Sequence, residues 1–200
     1  NNVKDRVAQF YQREATTCYP PIALDLFENE LEKEKGEYYL SFGALTPYKA
    51  IDLLVKTFNT LDKKLVVIGD GSERKKLQSI ANNNILFLGT LHDEELQQHV
   101  KKAKALLFPG EEDFGMIPLE VMSQGIPVIA YGKGGALETV VENRKEISKS
   151  SGLFFNQQTP EALRNAIEEF ESIEDKFDPV WIRKHARKFG EDHFIESISD

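Results

Sequence analysis

The chain has 200 residues, 40% of them hydrophobic, which is enough to bury one substantial core. Its formal net charge is −8 and no dense basic run occurs, so the basic face of a typical nucleic-acid-binding protein is excluded. The single cysteine, Cys18, excludes a disulfide framework and a cysteine metal site, and no apolar run approaches the ~20 residues of a membrane helix.

The first 36 residues are predicted to form a short helix followed by a connector to the rest of the chain. Val3–Glu14 has the spacing of a short amphipathic helix. Cys18–Pro21 ends with two prolines, which lack a main-chain donor and break a helix. Residues 22–36, with the mixed-charge run Glu28–Lys35, are expected to form a connector.

From Glu37 onward, short apolar strands alternate with amphipathic helices. The predicted strands are Tyr38–Phe42, Leu65–Ile68, Ile85–Leu88, Ala105–Phe108, Pro127–Ala130 and Gly152–Phe155. The predicted helices are Lys49–Asn59, Glu73–Ala81, Glu94–Lys102, Ile117–Ser123, Ala136–Glu142 and Pro160–Phe170, followed by a helical tail at Pro179–Phe189 and Glu191–Ile198. This alternation predicts an α/β fold, a Rossmann-like parallel sheet of about six strands with helices on both faces. Ligands bind such sheets beyond the carboxyl ends of the strands, so the loops at those ends are the candidate sites.

The loop after the fourth strand carries the densest set of functional residue types. Glu112 and Glu120 stand at the ends of its Glu112–Glu120 segment, with seven residues between them. Carboxylates accept hydrogen bonds from sugar hydroxyls, and Gly115 lets the main chain approach a phosphate at a helix start. Glu111 and Asp113 are interpreted as surface residues of an acidic protein.

Two further loops join a strand to a helix through glycines. In Gly132–Glu138 the main-chain N–H groups are expected to be available to an anion, and Glu138 either binds a ribose or caps the helix. In Gly43–Lys49 the lysine sits at the predicted helix start and is either a diphosphate ligand or a solvated side chain.

The two remaining loops give weaker signals. Gly69–Ser72 reads as a tight turn in which Ser72 caps the next helix. The loop from Gly89 through Leu91 offers main-chain groups to a nucleobase edge. The four histidines share no metal-ligand spacing, so no metal site is predicted, and no Ser-His-Asp or Cys-His arrangement is evident.

Taken together, these loops resemble the retaining glycosyltransferases of the GT-B fold, family four in the usual sequence classification. The similarity covers about residues 37–142 in the family's order and includes the glycine and lysine loop, the turn after the second strand, the base-binding strand end, the paired-glutamate segment and the loop after it. Within the family, the residues Pro47–Lys49 and Gly132–Thr139 most resemble those of bacterial mannosyltransferases of O-antigen or exopolysaccharide assembly.

The resemblance implies a domain organisation. Residues 1–36 would be the end of an absent N-terminal domain and the connector, 37–172 the donor-binding domain, and 173–200 a helical tail that packs on the N-terminal domain. The implied partners are a nucleotide sugar, a glycan or lipid-linked acceptor and that missing domain, with no nucleic acid. The implied location is cytoplasmic, with peripheral contact at the inner face of a membrane only through the missing half.

The resemblance also implies a reaction and a set of site residues. A sugar moves from a nucleoside diphosphate sugar, with GDP-mannose favoured and a UDP-sugar as the alternative, to an acceptor hydroxyl without a cofactor or metal. Glu112 and Lys49 are the catalytic candidates, and Glu120 would hold the ribose. The binding residues are expected to be Gly43, Lys49, Gly69, Gly89, Leu91, Glu112, Phe114, Gly115, Met116, Ile117 and Glu120.

One position departs from the family pattern. Many relatives carry Arg where this chain has Ala44, which leaves Lys49 as the single cation of that turn. Ala44 favours one alternative, a non-catalytic nucleotide- or protein-binding module, and a nucleotide-sugar epimerase of the same fold is the other alternative. A dinucleotide dehydrogenase is disfavoured because no G-x-G-x-x-G follows the first strand.

Overall fold

The computed structural model describes residues 2–22 and 36–199, and its centre is one six-stranded parallel sheet. The strands are β1 Tyr38–Phe42, β2 Leu65–Ile68, β3 Ile85–Gly89, β4 Ala103–Phe108, β5 Val128–Tyr131 and β6 Gly152–Phe155. Their order in the sheet is β3-β2-β1-β4-β5-β6, and every neighbouring pair is parallel. The predicted α/β class and the six Rossmann-like strands are confirmed.

The strands form because their apolar residues are covered on both faces. All four residues of β2 and of β5 are buried, as are five of the six residues of β4. A continuous apolar run of this kind is typical of a parallel sheet between two helical layers. The register places Phe42 of β1 beside Ile68 of β2, so these two strands end level at the carboxyl edge.

Nine α-helices occur in residues 2–22 and 36–199. They are α1 Asn2–Tyr11, α2 Ile51–Phe58, α3 Arg74–Ile80, α4 Asp93–Lys101, α5 Met116–Met122, α6 Ala136–Thr139, α7 Pro160–Ile173, α8 Pro179–Ala186 and α9 Glu191–Ser199. Helix α2 packs against α3 and α7, while α5 packs against α6 and α8. None of these helices is long and apolar enough to cross a membrane.

Three of the differences from the predicted helix boundaries and caps have a clear local reason. Pro47–Lys49 forms a separate 3-10 turn, and α2 begins only at Ile51 because Ala50 adopts a left-handed conformation. Ser72 caps no helix, since α3 starts at Arg74 without a side-chain cap. Helix α6 stops at Thr139, because Val140 is extended. The predicted charged connector Glu28–Lys35 lies outside the described residues.

Candidate functional site

The carboxyl ends of β1, β2 and β3 are joined by glycines that bring three loops into close contact. The main-chain N–H of Gly43 donates to Ile68 O at 3.0 Å, and that of Gly69 donates to Gly89 O at 2.7 Å. Gly43 and Gly69 have φ of +129° and +126°, a region that only glycine occupies readily. A Cβ on Gly69 would overlap the carbonyl of Gly43. These three predicted binding residues therefore lie side by side along one edge of the sheet.

Lys49 reaches this edge on the short turn that precedes α2. The residue after it, Ala50, has φ 52° and ψ 35°, so the chain reverses between Lys49 and the helix. The loop after β4 presses against the same turn: a Cβ on Gly110 would lie 2.9 Å from Tyr48 O and 3.0 Å from Lys49 Cα. The lysine is thus fixed by its own turn and by the neighbouring loop.

Glu112 meets Lys49 across the gap between the two loops. Its Oε1 accepts a hydrogen bond from Lys49 Nζ, although the residues are 63 positions apart in the chain. Both side chains are largely buried, with 14% of Lys49 and 18% of Glu112 exposed. The main-chain carbonyl of Glu112 accepts a hydrogen bond from Gly135 N at 2.7 Å. The two catalytic candidates are therefore brought together, one carboxylate and one ammonium at the carboxyl edge.

Glu120 lies on α5 in a different environment. It is half-buried, and burial, followed by the negative charge of Asp93, raises the pKa of its carboxyl group. Asp93 is the first residue of α4 and follows Leu91 by two positions. The electrostatic influence of Asp93 therefore associates Glu120 with the start of α4, near the loop expected to contact the nucleobase. A carboxyl group whose pKa is shifted by burial and a neighbouring charge is a candidate functional group.

The remaining candidates of the segment surround α5. Gly115 is buried with φ +82° and precedes the helix, and Met116 is exposed. Ile117 lies against Gly43, the first residue after β1, since a Cβ on Gly43 would be 2.9 Å from Ile117 Cδ1. The ring of Phe114 is stacked on Tyr19 with centroids 5.1 Å apart. A ligand contact from Phe114 would consequently come from its main chain.

In the loop after β5, three of the N–H groups that were expected to be available to an anion donate to main-chain carbonyls of the protein. The N–H groups of Gly132, Lys133 and Gly135 donate to Phe155 O, Tyr131 O and Glu112 O. The carboxylate of Glu138 accepts hydrogen bonds from Tyr19 OH and Asn2 N, both at 2.6 Å. The glycines of this loop therefore allow close packing on the Glu112–Phe114 segment.

Surface residues are placed as expected, and one feature was missed. Glu111 and Asp113 are exposed, and Asp113 pairs with Arg6 at 2.5 Å.

The sequence analysis did not identify Arg74 as a candidate. Its guanidinium lies 3.2 Å from where a Cβ on Gly89 would stand, and it pairs with Asp70 at 2.6 Å. The i,i+4 spacing of Asp70 and Arg74 was the available signal. No cluster of three or more His, Cys, Asp or Glu residues able to hold a metal occurs in ranges 2–22 and 36–199.

Comparison with known proteins gives a family match over most of the chain. The family model described as "Glycosyl transferases group 1" matches residues 24–191. An uncharacterized glycosyltransferase of Methanocaldococcus jannaschii is 28% identical over 178 residues, covering 86% of this chain and 48% of that protein. A GDP-mannose-dependent alpha-mannosyltransferase of Mycobacterium tuberculosis is 30% identical over 128 residues, covering 64% of this chain and 33% of that protein. The chain thus spans half or less of the length of these two relatives.

Solved structures share the fold. A glycosyltransferase from Rickettsia africae superposes with a TM-score of 0.83 at 18% identity, covering 100% of this chain and 60% of that one. The Anabaena protein HepE, in complex with UDP and glucose, superposes with a TM-score of 0.74 at 19% identity, covering 92% of this chain and 56% of that one. The six-stranded sheet is the Rossmann-like fold of GT-B glycosyltransferase structures.

Proposed function

This chain belongs to the group 1 glycosyl transferases, and we propose that it is the donor-binding domain of a retaining enzyme of that family. The enzyme moves a sugar, with mannose favoured, from a nucleoside diphosphate sugar to an acceptor hydroxyl of a glycan or lipid-linked glycan. The observation that carries the proposal is the meeting of Lys49 and Glu112 at the carboxyl edge of the sheet, where α/β folds bind ligands.

The charges at this edge suit the chemistry of glycosyl transfer. In the transition state the sugar gains positive charge while the diphosphate leaves with negative charge. Lys49 stabilises the leaving diphosphate, and a fixed cation at the site of developing charge lowers the barrier. Glu112 positions the sugar ring by accepting from its hydroxyls, and Glu120 accepts from the ribose. With these donors and acceptors in place, the proposal needs no metal ion or cofactor.

The donor is proposed from the relatives. GDP-mannose is favoured because one relative is named as a GDP-mannose-dependent mannosyltransferase. A UDP-sugar is the alternative, because HepE holds UDP and glucose on the same fold. A calorimetric screen of the 200-residue chain with GDP, UDP, ADP and their sugars tests both. GDP and GDP-mannose are expected to bind first, and a chain that binds none of these nucleotides contradicts the proposal.

The relatives' greater length leads to a further part of the proposal. Residues 37–172 would bind the donor, while residues 1–36 and 173–200 would connect to a second domain that supplies the acceptor side of the cleft and any membrane contact. Because such ligands are enclosed between domains, the 200-residue chain alone is expected to bind nucleotide but to transfer no sugar. Turnover by this chain at the rate of a complete enzyme would overturn that expectation.

Ala44 supports one competing function, a nucleotide-binding module without catalysis. Its methyl group cannot provide the guanidinium that many relatives carry at this position. Attaching a complete second domain and assaying sugar transfer separates the two functions, because a binding module would still bind nucleotide but would not turn over.

A further inference from the structure

The Lys49 ammonium is hydrogen-bonded to the Glu112 carboxylate. The two side chains are in hydrogen-bonding contact, and less than a fifth of each is exposed. Glu112 is also held through its main chain by Gly135 N, and Gly110 presses on the Lys49 turn. This ion pair therefore joins two loops whose main chains already pack against each other.

A diphosphate that binds Lys49 competes with this carboxylate. Oxygen anions of the ligand and Oε1 of Glu112 seek the same ammonium group. When the diphosphate takes Lys49, Glu112 is left as a largely buried carboxylate beside a second anion. Taking one partner away from a buried ion pair is unfavourable, because the charge that remains is poorly solvated.

A sugar attached to the diphosphate relieves this repulsion. Its hydroxyl groups donate hydrogen bonds to the freed carboxylate, and esterification removes one ionisable oxygen from the terminal phosphate. Bare nucleoside diphosphate supplies no such donors and carries the greater charge. The unfavourable contact with Glu112 is thus stronger for the nucleoside diphosphate product than for the nucleotide sugar.

We infer that Glu112 is a specificity-determining residue that disfavours the nucleoside diphosphate product relative to the nucleotide sugar donor, because it competes with the diphosphate for Lys49. The inference rests on the proposed donor site. The competition is expected to speed product release. After sugar transfer a nucleoside diphosphate is left bound to Lys49, and Glu112 displaces it by pairing with the lysine again.

Calorimetry on three proteins tests this inference with two ligand pairs, GDP with GDP-mannose and UDP with UDP-glucose. The proteins are the wild type, Glu112→Gln and the control Glu111→Gln, whose side chain is exposed. Glu112→Gln keeps the shape and removes the charge, so GDP is expected to bind about tenfold more tightly than to the wild type, while GDP-mannose gains little or weakens. The control should match the wild type for every ligand.

The outcomes separate the inference from the proposed function. If the wild type binds nucleotide but Glu112→Gln binds GDP no more tightly, the competition is wrong while the donor site stands. If none of the proteins binds any nucleotide, the proposed function fails and the inference fails with it. A melting curve confirms that Glu112→Gln is folded, and Glu112→Ala, which also removes the charge, should tighten GDP in the same direction.

Discussion

The loops after β1 and after β5 both start with a glycine and join a strand to a helix, but their roles differ. The loop after β1 delivers Lys49 to the carboxyl edge, where it meets Glu112. The loop after β5 uses the N–H groups of Gly132, Lys133 and Gly135 within the protein, and Gly135 N supports Glu112, while Glu138 is held by Tyr19. A glycine-rich strand-to-helix loop therefore does not by itself indicate an anion site. The two loops differ in the charged side chain they carry: Lys49 is a cation beside Glu112 at the carboxyl edge, whereas Glu138 is an anion held by Tyr19 OH and Asn2 N.

The largest expected effect is on the β1 side, at Lys49. Lys49→Met removes the cation proposed for the diphosphate and leaves Glu112 facing the ligand, so the free energy of GDP binding is expected to weaken by about 1.5–3 kcal/mol, the range of a hydrogen bond to a charged group. Calorimetry measures the loss. Lys133→Met is the matched control, an exposed lysine of the loop after β5, and should change affinity little. An equal loss of GDP affinity in the two variants would contradict the different roles given to the two loops.

Glu120→Gln should change affinity and stability in opposite directions. Loss of the carboxylate is expected to weaken GDP binding by about 1–3 kcal/mol. Burial and the Asp93 charge raise the pKa of Glu120, so its ionised form is unfavourable in the folded chain, and the variant should melt a few degrees higher at neutral pH. Calorimetry and thermal melting of the same samples measure both, with Glu111→Gln as the control. A lower melting temperature with unchanged affinity would make Glu120 a structural brace.

The pH dependence of the wild type follows from the same group. Because the folded pKa of Glu120 lies above its ordinary value, its contribution to stability is present at acid pH and is lost as the pH rises through the folded pKa. Nucleotide affinity should run the other way, since the ribose hydroxyls need the ionised carboxylate. Affinity titrations at several pH values should show a fall toward acid pH that is smaller in Glu120→Gln. The same fall in both proteins would assign the pH dependence to the nucleotide.

A smaller effect is expected on the β5 side, at Tyr19. Tyr19→Phe removes the hydrogen bond to Glu138 while keeping the ring on Phe114. Loss of one such bond should lower the free energy of unfolding by about 1 kcal/mol and leave GDP affinity unchanged. Chemical denaturation and calorimetry measure the two quantities. A substantial loss of GDP affinity would show that the Glu138 loop takes part in nucleotide binding.

The smallest effect is expected at Ala50, the left-handed residue between Lys49 and α2. A non-glycine residue in that region is disfavoured by about 1–2 kcal/mol, while glycine loses more backbone entropy on folding. Ala50→Gly should therefore stabilise the chain by about 0.5 kcal/mol. Ala44→Gly, in the same loop but without a positive φ, should destabilise it. Denaturation midpoints compare the two variants, and a destabilised Ala50→Gly would contradict the strain at this position.

The sheet was predictable because its signal is local. Runs such as Leu65–Ile68 are apolar throughout, so each is expected to be buried on both faces of a sheet whatever the rest of the fold is. The six strands consequently appear at nearly the predicted positions. Helix starts were less predictable, since the sequence around Lys49 does not reveal that Ala50 would adopt a left-handed conformation.

The candidate site was predictable in its residue types but not in its contacts. Lys49 and Glu112 each lie in a loop that the sequence analysis identified as a candidate site. Their pairing across 63 positions depends on how the two loops pack, and the local sequence pattern does not encode that packing. The same limit explains the loop after β5. Its glycines allow a close approach by the main chain of Glu112 and Phe114, which the sequence analysis did not predict. The assignment of ligand-binding roles stays a prediction.

An NMR titration of the 200-residue chain with GDP tests the central claim most directly, because amide shifts report every loop of the carboxyl edge at once. The account predicts saturable shifts centred on Lys49, Leu91 and Glu120, with smaller changes in the loop after β5. Saturating GDP that left these three amides unmoved, or that moved only residues around Glu138, would contradict it.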